Sequence, residues 1–429
     1  MSEQETNSKL RSYIPSVQIR FAILLFVVAA LVYTLFNYQD WITRERSFDT
    51  KGWVVFVSDI SGFDDIWVAD KDGKIKQLTN DDAEDVTPTW SPTGNQIIFS
   101  STRESAASKK IVFQLYSIRP DGTVVQPLTI GGGAKQDPHF SKDGRTVLHL
   151  AQGFVTEVDI KDHHAAQLLP PAERPDMIMS WREQFGESVG VRHALWAPTN
   201  ENLILAQLPP AKGNMLMLAD ISDPNKPSLA FILAAKRLEF VWSPVSTDIV
   251  AAFQEPIPLS NVVITDVKDT LPLKHGIIVF TIMPNEEAKA SGSPFIIRFD
   301  DNRSLVAKSV VNMGKDYGLI EPSFKPDGAQ MVFVLAKMKG AEVIQRMGIV
   351  VYPTSSIDSA KGGLEEPTTI VRGNVGSPAW SPDGSKLAYV VYTESGHRDI
   401  WTVNIDGTNA TNLTNGKGDN REPVWSPQR

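Results

Sequence analysis

The last residues of this chain open a structural repeat that residues near its beginning complete. Glu-Pro-Val-Trp-Ser-Pro, residues 422–427, has the form of the first strand of a repeat, yet only two residues follow it. The strands it needs are at the other end: Trp53-Val-Val-Phe-Val-Ser58, Asp65-Ile-Trp-Val-Ala-Asp70 and Lys74-Ile-Lys-Gln-Leu-Thr79. A repeat divided between the two ends is how a circle of sheets closes, because pairing the last strand with the first sheet removes exposed strand edges. The feature therefore predicts a ring and excludes an open stack.

The interior of the chain carries the same pattern. An aromatic residue followed by Ser-Pro, or a variant of it, stands at Trp90, Phe140, Trp196, Trp242, Phe324, Trp380 and Trp425. The spacings are 50, 56, 46, 82, 56 and 45 residues, which suits four-stranded propeller blades. A tight turn follows most copies, as in Thr93-Gly94, Asp143-Gly144, Asp327-Gly328 and Asp383-Gly384. Glycine there can take the positive φ of a two-residue turn. A β-rich run comes next, such as Ile97–Ser100 or Leu387–Val390, then a third strand such as Asp399–Val403. The fourth often ends in Leu-Thr, as at Leu78-Thr79, Leu128-Thr129 and Leu413-Thr414. Turn punctuation at this spacing, with β-branched and aromatic enrichment, predicts an all-β fold. Burying one large aromatic per blade contributes roughly 2–3 kcal/mol by area, so the five tryptophans of this set are core residues first.

Seven aromatic starts predict seven blades, with six or eight as alternative counts. Residues 242–324 hold more strand-like runs than one blade needs: Ile249–Gln254, Val262–Val267, Gly276–Met283, Phe295–Asp300 and Leu305–Val311. One blade with an inserted hairpin and two irregular blades both fit that stretch.

Before the repeats, residues 1–20 are polar and Phe21–Phe36 is almost continuously apolar. Sixteen helical residues rise about 24 Å, a little less than a hydrocarbon core of roughly 30 Å. Extension to Trp41 reaches the far interface, where Tyr33, Tyr38 and Trp41 suit the headgroup region. The run has no polar face, unlike a helix of a soluble core. The expectation is a short cytoplasmic tail (1–20), a transmembrane signal anchor (21–41), a linker (42–50) and an extracytoplasmic propeller (51–429). A cleaved signal peptide is the rival, but its small-residue cleavage site is missing after Thr34. Three basic residues on each side (Lys9, Arg11, Arg20; Arg44, Arg46, Lys51) leave the positive-inside count tied.

The net charge of −8 gives no basic surface for nucleic acid. The absence of cysteine removes disulfides, thiolate metal sites and cysteine nucleophiles.

The W-S-P-D-G, D-I-W, D-G, L-T order, clearest from Trp380 to Thr414, resembles the TolB-like propeller repeat. The resemblance extends over nearly everything after residue 50 and is weakest between 140 and 324. It implies a cell-envelope propeller that docks a protein partner, as TolB docks a peptidoglycan-associated lipoprotein. Two departures stand out. TolB proteins carry an α/β domain before the propeller, whereas here a membrane segment precedes it, and their propellers usually have six blades. Similar repeats form the propeller of prolyl-oligopeptidase-type enzymes, whose hydrolase domain is not expected here.

In a four-stranded meander the first and third turns lie on one face, and the second turn and the inter-blade link on the other. The first set is mostly tight Asp-Gly turns, while the second holds most long segments, including 101–110, 335–347 and 415–421. Pro353–Glu366 and Ser222–Lys226 are exceptions. Function concentrates on long loops over a rigid scaffold, so the long-loop face is the expected binding face. Three residues before each aromatic stand Thr87, Asp137, His193, Glu239, Glu321, Ser377 and Glu422. Asp137, His193, Glu239, Glu321 and Glu422 are the candidate binding ring at the channel mouth, able to attract a cation or a basic segment. The alternative is that they bond loop amides.

No catalytic, cofactor or metal residue is expected. Gly186-Glu-Ser-Val-Gly190 matches a nucleophile motif, but in an inter-blade insertion and not on a strand-to-helix elbow. His163-His164 lies in a turn without a carboxylate cluster, and Gly131–Gly133 lacks the Lys-Ser/Thr and helix of a phosphate loop. The expected function is therefore a membrane-anchored, non-catalytic scaffold binding a protein or cell-wall partner. A propeller polysaccharide lyase or hydrolase using the channel mouth is the alternative.

Overall fold

The computed structural model describes residues 48–103, 111–170, 190–208, 214–223, 228–245, 249–256, 294–299, 305–309, 316–354 and 367–427. Residues 48–429 form one compact unit, and the regular elements among its described residues are β-strands. The expected tail and anchor, residues 1–20 and 21–41, and most of the linker lie outside the described residues. Among the described residues no helix is long and apolar enough to cross a membrane.

The ring closes as the split repeat requires. Asn420–Trp425 pairs antiparallel with Val54–Ser58, in the register Val54 opposite Trp425 and Ser58 opposite Asn420. Asp65–Ala69 and Ile75–Gln77 complete that sheet. Four more four-stranded meanders begin at Asp85, Lys135, Tyr317 and Val375.

The remaining described strands form one seven-stranded sheet, so the described residues make six sheets and not the seven expected. The cause is a single strand, Ser228–Trp242. Its first half pairs with Asn214–Asp220 and its second half with Ile249–Pro256. Elsewhere the link into a new blade is rich in Gly, Asn and Asp, as in Asn415-Gly-Lys-Gly-Asp-Asn420. Residues 228–242 contain no Gly, Pro, Asn or Asp. Without a turn signal the fourth strand of one repeat runs straight into the first strand of the next. The Trp196 and Trp242 repeats thus share a sheet.

The recurring motifs have local causes. Gly94, Gly144, Gly328 and Gly384 have φ between 67° and 72°, the conformation expected of the first turn. Before Gly94, Gly144 and Gly384 the turn opens on a buried serine whose Oγ accepts a backbone N–H across it, from Gln96 to Ser91 at 3.1 Å and from Lys386 to Ser381 at 2.9 Å. The Leu-Thr ending pins the fourth strand to the start of the third. Thr79 Oγ1 accepts from Ile66 N at 2.9 Å and donates to Asp65 at 2.9 Å. Thr414 does the same with Ile400 N and Asp399, and Thr129 with Leu115 N and Gln114. The leucines Leu78, Leu128 and Leu413 are buried in the clusters beside them.

The aromatic that opens a blade ties it to the previous blade. The Trp90 indole donates to Val424 O at 3.1 Å, Trp380 to Ser323 O at 3.2 Å and Trp425 to Ala379 O at 3.0 Å. Each acceptor immediately precedes the previous blade's aromatic. Trp196 and Trp242, in the shared sheet, have indole N–H groups without a partner among the described residues.

Candidate functional site

The site begins with a proline. Thr87, Asp137, Glu321, Ser377 and Glu422 each precede one, at Pro88, Pro138, Pro322, Pro378 and Pro423. Proline cannot donate to the ladder, so inside a sheet it is confined to edges, strand starts and bulges. The register shifts at all five places. The residue before the proline takes φ between 50° and 57°. His193 and Glu239 have no following proline and are not among the residues with positive φ.

The acidic members of the expected ring reach forward to the next innermost strand. Glu422 Oε2 accepts from Thr87 N at 2.7 Å and Glu321 Oε2 from Ser377 N at 2.6 Å. Glu239 accepts from Glu321 N, and Asp137 Oδ2 from Ala194 N at 3.2 Å. The amides they bond belong to strands and not to loops. Each acid spends part of its acceptor capacity on bracing two blades together.

Arginines take up much of the remaining charge. Arg346 reaches Glu321 Oε1 at 2.6 Å and lies over the Tyr392 ring at 4.8 Å. Arg237 pairs with Glu239. Arg421 pairs with Asp64, and Arg398 Nε holds Asp419 at 2.8 Å. Arg103 bonds the buried Asp85 at 2.6 Å and lies over Tyr116. A Cβ at Gly376 would come within 3.0 to 3.2 Å of Glu321, Arg346 and Tyr392, so glycine leaves room for that pair. Burial pushes the Glu422 carboxyl up, against the pull of Thr87 N–H and Arg421.

Asp137 differs from the other acids. Its Oδ1 lies 2.9 Å from His139 Nε2 and its Oδ2 lies 2.8 Å from His193 Nδ1. Burial alone would raise this carboxyl, but the two imidazoles hold it well below the usual carboxylate range. The sequence expectation included Asp137 and His193 and missed His139. The available signal was its place two residues after Asp137, on the same bulged strand. His163 and His164 are exposed in a turn, as expected, with His163 at φ 60°. The Gly186–Gly190 motif lies outside the described residues except for Gly190.

The long-loop face can now be compared with the other. Eight large hydrophobic side chains are exposed among the described residues. Phe63 and Ile111 lie between second and third strands, Ile130 in an inter-blade link, Tyr317 at the start of a first strand, and Ile344 and Met347 in the opening half of the third strand Glu342–Pro353, all toward the mouth side. Val125 and Val245 belong to the short-turn side.

No family model matches the chain. It is 42% identical over 62 residues to the Tol-Pal system protein TolB of Alcanivorax borkumensis, which is 14% of each chain. It is 36% identical over 138 residues to the TolB homolog of Chlorobium luteolum, covering 24% of this chain and 32% of that one. The chain thus spans less than a third of the length of these two curated relatives. Among solved structures, an oligogalacturonate lyase in complex with manganese superposes with a TM-score of 0.53 at 11% identity, over 84% of this chain and 85% of that one. At that identity the likeness concerns the fold alone. The chain is a β-propeller, and its repeats are similar to those of TolB proteins over the matched stretches.

Proposed function

We propose that this protein is a non-catalytic, protein-binding propeller of the cell envelope. In this reading residues 21–41 hold it in the membrane, residues 1–20 are cytoplasmic and the propeller is extracytoplasmic. The partner docks on the long-loop face around the mouth residues Asp137, His193, Glu239, Glu321 and Glu422. The observation that carries the reading is the one-sided placement of exposed large apolar side chains among the described residues, six on the mouth side against two on the other. Apolar groups left in water on one face of a rigid scaffold suit a docking surface. The TolB repeats point the same way, since the TolB of Alcanivorax borkumensis is a Tol-Pal system protein. Bracing of the acids by backbone N–H groups and arginines favours a scaffold over a reactive centre, because those carboxylates are already engaged.

The test is crosslinking in intact cells. Phe63→Glu, Ile130→Glu and Ile344→Glu should abolish capture of the partner, while Val125→Glu and Val245→Glu keep it. Loss of capture only on the short-turn side would reverse the face. Capture unaffected by any of the five would remove the docking role. Alkaline extraction of membranes should retain the full chain and release one lacking residues 1–50; extraction of both would remove the anchor.

A further inference from the structure

We propose that Asp137, His139 and His193 form a binding site for a borderline divalent transition-metal ion of the zinc, cobalt or nickel type. The site does not depend on the docking reading. Its donors come from two adjacent innermost strands, Lys135–Phe140 and His193–Ala197. One carboxylate oxygen and one nitrogen from each imidazole all lie within 4.8 Å of one another.

Three features make this a built site. The bulge at Asp137, with φ 57°, places its carboxylate between the two imidazoles. Ala194 N–H fixes Oδ2 from behind at 3.2 Å. His193 packs against His139 and Phe240, with ring centroids 5.3 and 5.4 Å away. The side chains of Asp137, His139 and His193 are 22%, 30% and 33% exposed, so water can reach the open side. Three protein donors with an open position is the pattern of an accessible metal centre, whereas closed structural sites use four.

The donor set determines the class of ion. Two imidazoles and one carboxylate suit zinc, cobalt and nickel. Calcium takes six to eight oxygen donors, and magnesium holds its waters in an octahedron of oxygens. Bonds of about 2.0–2.2 Å to one ion draw the donor atoms inward, through side-chain rotation of the half-exposed imidazoles. Each imidazole nitrogen now facing Asp137 must present its lone pair to the ion, its proton moving to the other ring nitrogen or to solvent.

The experiment is calorimetric titration of chelator-treated full chain with Zn²⁺, with Mg²⁺ and Ca²⁺ as controls. One equivalent of Zn²⁺ should bind, and neither control ion. His139→Ala and His193→Ala should each weaken Zn²⁺ binding by at least about 10-fold, read on protein that is still folded by circular dichroism. His163→Ala should leave binding unchanged. No Zn²⁺ binding, or binding indifferent to both site variants, overturns the proposal. Should a variant fail to fold, Co²⁺ added to the wild type reads the ligands by its visible absorption. Bands of nitrogen–oxygen ligation support the site, and the spectrum of the free aqua ion sinks it.

Discussion

The carboxylate of Glu422 accepts the backbone N–H of Thr87 at 2.7 Å, across 335 positions of sequence. It joins the last strand of the chain to the innermost strand of the Trp90 blade, at the junction where the Trp90 indole donates back to Val424 O. The two bonds run in opposite directions, one from the mouth end of the strands and one from farther along. Loss of the carboxylate leaves a part-buried N–H without its acceptor. Glu422→Ala should therefore cost about 1–3 kcal/mol, and Glu422→Gln less, because the amide oxygen can still accept. Urea unfolding measures both. Equal costs for the two would mean that the charge, and not the bond to Thr87, matters at this position.

The tryptophans should divide into two groups. Trp90, Trp380 and Trp425 lose an indole bond to the previous blade when changed to phenylalanine, at about 1–2 kcal/mol each beyond the loss of area. The Trp242 indole N–H has no partner, so Trp242→Phe removes an unsatisfied buried donor and should be the mildest of the set. Thermal unfolding of the four variants tests this. A Trp242→Phe penalty as large as that of Trp90→Phe would contradict the division.

Those bonds also show where sequence reasoning stops. The aromatic spacing gave the positions of the blades, and the split between Trp425 and Trp53 gave the closure, because both depend on local strand and turn chemistry. The mouth residues are legible from their place three positions before each aromatic, whereas the bulge that the following proline produces is not read from that spacing. Arg346 was missed because its partner, Glu321, lies 25 positions away and meets it only once the sheet has formed. His139 was missed for a related reason: a bulge decides which way a side chain turns, and alternation along a strand does not report it. The expected seven blades become six because residues 228–242 carry no turn signal, upstream of the stretch 242–324 where the sequence leaves the count open.

Thr414 tests the reading of the Leu-Thr ending. Its hydroxyl is fully buried, donates to Asp399 at 2.7 Å and accepts from Ile400 N at 3.1 Å. Valine has the same shape and neither function. Thr414→Val should cost about 2–4 kcal/mol, since two buried groups lose a partner at once. Thr414→Ser keeps both bonds and should recover most of that loss. A Thr414→Val protein as stable as wild type in urea would show that the hydroxyl is dispensable.

Two buried groups should give the propeller opposed responses to acid. Burial pushes the Asp85 carboxyl from 3.8 up to about 6, against the Arg103 guanidinium. The folded state then holds that proton more tightly than the unfolded state. Its contribution rises as pH falls from above 6 to below 3.8, by at most about 3 kcal/mol. Burial pulls the His149 imidazole from 6.5 down to about 4, and its Nε2 has no partner. The unfolded state binds that proton more tightly, so stability is lost as pH falls from 6.5 through 4, by a similar amount. His149→Leu should therefore raise the unfolding midpoint more at pH 5 than at pH 7.5. Asp85→Asn should remove the opposing gain, leaving a protein that weakens more steeply than wild type as pH falls from 7.5 to 5. Unfolding midpoints measured across that range decide the matter: profiles parallel to wild type for both variants would show that neither group carries the pH dependence.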